Sequence, residues 1–317
     1  MHLRLASAPE KAARDALTHA AWGQRLAMAQ YLERERRLRA HPYAREAMRT
    51  WLLAGGEGEG VLASCETFAM RAYLPRQSAA ASTSRVEGVA SVFVEDRLRG
   101  RGLAVALMDA LRERLRQEGA LASILFSDVG LSIYERSGYA ARPAISRVFE
   151  PAPGDPAGAC DRVLTEADAP AALHDALVPD DALLIWPTAA QLDWHLERER
   201  IYADLLGARR PTFHAAAAGA GRAVFCADLK GARLMILQLA ARRADEALAL
   251  IQAARRVAHA AGLAEVVLWE CAWPFELPDG AGGGRRVHRA ESLPMICPLR
   301  DGIDPASWGQ TSRATWV

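Results

Sequence analysis

Apolar and polar positions along this chain change period several times, and each change marks an element. Residues 9–40 are rich in Ala, Leu and Arg, with Leu26, Met28 and Leu32 set among charges, and read as helical. Runs at 48–54 and 60–74 are strand-like and flank the glycine-rich turn 55–60. Small and polar residues from Gln77 to Ser84 lead to a third strand at 87–95. A helix over Leu103–Glu118 follows: Leu103, Leu107, Leu111 and Leu115 recur every four residues as one apolar stripe, and Gly119 is placed to end it. Next come a strand at 121–127, a short helix near 130–137 and a strand at 142–150.

Pro151, Pro153, Gly154, Pro156 and Gly158 make 151–158 the natural linker. Beyond it the pattern restarts. A helix at 189–206 precedes strands at 212–217, 221–228 and 232–240, then a helix from Ala244 to Ala261 ended by Gly262, then a strand at 264–270. Strand, strand, strand, helix, strand thus occurs in both halves. The expected fold class is α/β (α+β), a tandem of two related units, each a mixed central sheet flanked by helices. The units are 1–150 and 159–317. The tail 301–317 is polar apart from Ile303, Trp308 and Trp316.

Composition narrows the function. The chain has 317 residues, 51% hydrophobic and 24% charged, as in a soluble protein with a substantial core. Its net charge of +1 lacks the basic excess of a nucleic-acid binder. No apolar run has bilayer length, and Met1-His2-Leu3-Arg4 does not open a signal peptide. Cys65, Cys160, Cys226, Cys271 and Cys297 are scattered and form no C-x-x-C pair, which suits free thiols in a cytoplasmic protein. No His/Cys/Asp/Glu set has ligand spacing, so no metal is expected.

The chemistry concentrates where the third strand meets its helix, at Val92-Phe93-Val94-Glu95-Asp96-Arg97-Leu98-Arg99-Gly100-Arg101-Gly102-Leu103-Ala104. Gly100 and Gly102 leave backbone N–H groups uncovered at a helix N-terminus, whose dipole adds partial positive charge. Such a turn can bind a pyrophosphate, with Arg97, Arg99 and Arg101 adding charge. An isolated glycine pair reads more simply as a tight connection with solvent-facing arginines. The flanking pattern changes the weight.

Arg97-Leu98-Arg99-Gly100-Arg101-Gly102 resembles the [Q/R]-x-x-G-x-[G/A] pyrophosphate loop of the GNAT superfamily of acetyltransferases. Tyr134-Glu135-Arg136-Ser137-Gly138-Tyr139 resembles that family's Y-E-x-x-G-[F/Y] element. The resemblance implies acetyl-CoA as co-substrate, with pantetheine between two splayed parallel strands and paired to Val92, Phe93 and Val94. The cofactor site would then comprise Val92 to Val94 and Arg97 to Ala104, including Leu98 and Leu103. An amine would attack the thioester directly, and Tyr134 falls where the family places its general acid. An alkyl ammonium, with a pKa of about 10.4, must first lose a proton. Glu66 and Glu87 are the candidate bases, and Glu66 is preferred because it interrupts the apolar run Val61–Thr67.

Several stretches also resemble the fungal lysine N6-acetyltransferases: Ser64-Cys65-Glu66-Thr67, Phe126-Ser127-Asp128-Val129-Gly130, Trp186-Pro187-Thr188, Val267-Leu268-Trp269-Glu270 and Ala314-Thr315-Trp316. That branch carries a second GNAT-like domain. Here its expected loop position reads Leu239-Ala240-Ala241-Arg242-Arg243, so the second domain should close the acceptor site rather than bind coenzyme A. The resemblance implies a small-molecule amine acceptor, with free L-lysine first; a pocket for it should combine acids, a cation and an aromatic wall, and of the available types Asp128, Trp194, His195, Glu270 and Trp316, Asp128 and His195 are the candidate acceptor-binding residues. Acceptors such as a natural product, a polyamine or a protein lysine, and a non-catalytic acyl-CoA sensor, remain alternatives.

Overall fold

A computed structural model of the chain describes all residues except 57–59, 75–82, 174–182, 272, 281 and 310. Parts of the glycine-rich turn and of the Gln77–Ser84 stretch therefore lie outside the described residues. The first half runs β1 (His2–Leu5), α1 (Ala8–Trp22), α2 (Met28–Ala40), α3 (Pro42–Ala47), β2 (Met48–Ala54), β3 (Val61–Tyr73), β4 (Thr83–Phe93), α4 (Leu103–Gln117), β5 (Ala122–Ser127), α5 (Ser132–Glu135), β6 (Ala140–Ala141) and β7 (Ile145–Phe149). The second runs β8 (Arg162–Leu164), β9 (Leu184–Ile185), α6 (Ala189–Leu206), β10 (Ala215–Ala218), β11 (Gly221–Asp228), β12 (Arg233–Ala240), α7 (Ala244–Ala260), β13 (Glu265–Trp269), β14 (Arg285–His288) and β15 (Leu293–Pro298).

Among the described residues the strands form two mixed sheets. The first has the order β1-β2-β3-β4-β5-β15-β6, with β9 on the far end of β3; the second has the order β14-β7-β13-β12-β11-β10-β8. In each sheet one parallel pair sits among antiparallel neighbours: β4 with β5, and β12 with β13. The amphipathic helices follow from their stripes. Leu107, Leu111 and Leu115 of α4 are fully buried, each contributing roughly 1.5–3 kcal/mol. Ala247, Leu250, Ala254 and Ala258 bury α7 in the same way against the second sheet.

The two sheets exchange strands. The run expected at 142–150 as the last strand of the first unit is β7, which pairs instead with β13 and β14 of the second sheet. Conversely β15, from near the end of the chain, lies antiparallel to β5, with Leu293 opposite Ser127. A boundary at residue 150 therefore separates the sequence but not the sheets. The helical stretch expected over 9–40 is two helices separated at 23–27, where Gly23 ends α1 and Arg25 takes φ +66. The polar tail is docked rather than free: Trp308, Ala314 and Thr315 are fully buried.

Candidate active site

The parallel pairing of β4 with β5 runs from Val86/Ala122 to Val89/Leu125 and stops. Beyond it β4 keeps only β3, and a bulge at Ser91, with φ +53, turns its end away. The gap expected beside Val92, Phe93 and Val94 is thus built by a local irregularity. Arg14 from α1 staples it: Nε donates to Ser64 Oγ at 2.9 Å, Nη1 to Glu66 Oε1 at 3.1 Å, and Nη2 to the Ser91 carbonyl at 2.7 Å.

On the α4 side of the sheet, the chain after β4 makes a short 3-10 turn at Asp96–Leu98 and reaches α4 through Gly100 and Gly102, with φ +79 and +74. A Cβ built on either glycine would meet nothing within 4 Å, so the space over the turn is open. Gly102 is the N-cap and supplies no side chain, which leaves the N–H groups of Leu103, Ala104 and Val105 without an intrahelical partner. Arg97 and Arg99 pair with Glu95 and Asp96, at 2.7 and 2.8 Å. Arg101 is exposed and makes no ion pair among the described residues. Leu98 and Leu103 are buried anchors beneath the loop. This cradle fits a pyrophosphate.

Tyr134 stands on the same side, packed in one cluster with Val89, Val92, Val94 and Cys65 and edge-on to Tyr139 at 6.2 Å. Burial, then the nearby Cys65 and Asp128, push its phenol up to about 12. It remains a proton donor across the physiological range, and its hydroxyl has no hydrogen-bond partner among the described residues.

The opposite face opens onto a cavity of about 640 Å³ lined by the first sheet, α1, α2 and the second domain. Glu66, Ser91 and Asp128 line it from the first sheet, and His195 from α6. Burial favours the neutral form of Glu66, but Arg14 and Arg39 outweigh it and hold the carboxyl below its usual range. So clamped, Glu66 is a weak base and a strong anchor for the staple. Asp128 Oδ1 accepts from the Ser292 N–H at 2.8 Å, fixing the entry to β15. His195 is neutral, brought down to about 3 by burial and Arg313, and its Nε2–H donates to the Ala314 carbonyl at 3.0 Å. It therefore holds the tail as well as lining the cavity.

Glu87 does not join them. Strand side chains alternate faces, and Glu87 shares its side with Val89, beneath α4. There it is fully buried beside Arg49 at 2.9 Å and Arg85 at 3.4 Å. Glu87 does not line the cavity, and two arginines flank it. Replacing Glu87 with glutamine should leave kcat nearly unchanged. Glu66→Gln should instead cost about 3 kcal/mol, the low end for a broken buried pair, because Asp15 still partners Arg39. Glu66 titrates lower folded than unfolded, where a glutamate sits near about 4.3. Its stabilisation is complete above that value and is lost as pH falls through the folded value. Thermal melts between about pH 5 and 3 should therefore fall more steeply for wild type than for Glu66→Gln.

The second domain repeats the architecture without the turn. β12 pairs with β13 only from Arg233/Glu265 to Ile236/Leu268. Residues of the tail occupy the mouth beyond, Ala314 packing with Leu237 and Trp316 with Met235 and Trp269. At α7 the Arg242 N–H donates to Glu246 and Arg243 pairs with Asp245, so the helix start is filled by its own acids. Among the described residues no helix is long and apolar enough to cross a membrane, and no His/Cys/Asp/Glu group could hold a metal.

Residues 16–142 match the acetyltransferase (GNAT) domain model, and residues 166–317 match that of the LYC1 GNAT-like C-terminal domain. No curated protein matches the sequence. Solved structures share the fold. A GCN5-related N-acetyltransferase from Kribbella flavida is 22% identical, with 94% of this chain and 72% of that one covered at a TM-score of 0.56. A conserved protein of Enterococcus faecalis gives 12%, 94%, 72% and 0.59. Eis1 from Mycobacterium abscessus gives 11%, 94%, 73% and 0.54. With a GNAT model matching each half and an open pyrophosphate-type turn in the first alone, the chain belongs to the GNAT superfamily of N-acetyltransferases, as a tandem enzyme with a LYC1-type C-terminal domain.

Proposed function

We propose that this enzyme transfers acetyl from acetyl-CoA to the side-chain amine of free L-lysine or a closely related small amino acid. The observation that carries this reading is the cavity between the two domains, which meets the β4/β5 gap from the face opposite the glycine turn. Gly100, Gly102 and the first N–H groups of α4 would hold the pyrophosphate, and Arg101 would add charge. The acceptor enters from the cavity, so the two substrates approach the gap from its two sides. Asp128, at the end of β5, holds the incoming ammonium and is better placed than the arginine-clamped Glu66 to take its proton. Tyr134, across the gap, donates a proton to the departing sulfur. A cavity of about 640 Å³ has room for a free amino acid.

The test is thiol release from acetyl-CoA with L-lysine, other amino acids, polyamines and a lysine peptide, with the product located by mass spectrometry. Turnover led by L-lysine and acetylated at N6 is the expected result. Turnover led by the peptide would remove the small-molecule reading.

A further inference from the structure

The charged side chains around the cavity do not cancel. Most are engaged. Glu35 pairs with Arg34 and Arg39, Glu66 with Arg14 and Arg39, and Asp228 with Arg233. Glu199 is taken by Arg210, His214 and the Ala227 N–H, whereas Asp128 accepts only from neutral Ser292 and pairs with no cation among the described residues, so it stays available to an ammonium. Arg198, Lys230 and Arg313, on the second-domain wall, have neither an ion pair nor a hydrogen bond among the described residues. Of the lining acids only the exposed Glu291, at the rim, is likewise unengaged.

Aromatic faces, rather than carboxylates, hold these cations. Arg289 lies 4.0 Å from the ring centre of Trp269, Arg313 lies 5.2 Å from Trp269 and 3.5 Å from Trp316, and Arg198 lies 4.4 Å from Trp316. The result is a ladder of alternating guanidinium and indole planes. Lys230 Nζ sits 5.2 Å from the Tyr202 ring. Stacking fixes a cation without neutralising it, so its N–H groups keep their full demand for an anion. Arg313 Nη1 is buried with no partner. The field is visible in the neighbours: burial would raise the Tyr202 phenol, yet Arg198, Arg34 and Lys230 bring it below its ordinary value.

We propose that Arg198, Lys230 and Arg313 form a carboxylate subsite, so that the enzyme selects amines that also carry an anionic group and rejects polyamines. This rests on the small-amine reading above. The acceptor would lie with its carboxylate on the second domain and its amine at Asp128, which gives the C-terminal domain a part in specificity.

Direct binding tests the subsite without requiring turnover. L-Norleucine is lysine without its side-chain amine, and 1-aminopentane is norleucine without its carboxylate. Titration followed by tryptophan fluorescence or calorimetry should show norleucine binding roughly tenfold or more tighter than 1-aminopentane. Lys230→Met should weaken norleucine by roughly tenfold and leave 1-aminopentane and acetyl-CoA unchanged. Arg198→Gln carries the same expectation should Lys230→Met fail to fold. Equal affinity for the two probes, no norleucine binding, or a variant that loses acetyl-CoA instead, overturns the subsite. Norleucine discrimination without lysine turnover would keep the subsite and remove the lysine reading. Lysine turnover with the two probes alike would do the reverse.

Discussion

Replacing Gly102 with valine is expected to weaken acetyl-CoA binding roughly hundredfold while leaving the protein folded. Gly102 has φ +74 at the N-cap of α4, and a Cβ there would meet nothing within 4 Å. The penalty is therefore backbone strain, of order 1–3 kcal/mol, and a β-branched residue relieves it by leaving the left-handed region. That rotation turns away the N–H groups that face the open turn. Losing charge-assisted hydrogen bonds at about 1.5–3 kcal/mol each accounts for the expected factor. Gly207→Val provides the control, because Gly207 ends α6 with φ +62 and also meets nothing, yet stands away from the turn. It should lower the melting temperature comparably and leave calorimetric acetyl-CoA affinity intact. Unchanged affinity in Gly102→Val would remove this turn from the cofactor site.

Tyr134→Phe is expected to reduce kcat by roughly a hundredfold to a thousandfold at constant acetyl-CoA affinity, as for loss of a general acid. The substitution is unusually clean. The ring stays in its cluster and against Tyr139, and the missing hydroxyl strands no described partner. Stability should hardly move. If Tyr134 were only a core aromatic, the rate would not move either, so steady-state kinetics beside a melting curve separates the two roles. With the phenol held near 12, its donor capacity should not limit the rate below that pH.

What the sequence made legible was local. The four-residue leucine stripe of α4 and the glycines before it could be read because periodicity and left-handed turns are written in neighbouring residues. The exchange of strands could not. β15 carries Pro294 and Pro298, which argue against a strand between two others, yet its neighbour β6 spans only Ala140–Ala141. β7 looks like the last strand of the first unit because nothing in Ile145–Phe149 names the sheet it joins. Apolar neighbours favoured Glu66 over Glu87, but that the two lie on opposite faces depends on strand parity across a bulge. The ladder from Arg289 to Arg198 joins residues from α6, β13, the β14–β15 loop and the tail, and no short-range pattern could have announced it. Residues 1–45, which the sequence showed only as helical, supply Arg14 and roof the cavity.

The most direct test of the account is a crystal structure of the enzyme with coenzyme A and L-lysine. Pantetheine is expected between Val92–Val94 and the end of β5, pyrophosphate on the turn at Gly100 and Gly102, and the lysine in the cavity with its side-chain amine toward Asp128. Coenzyme A seated on the second sheet, or an acceptor bound outside the cavity, would contradict it.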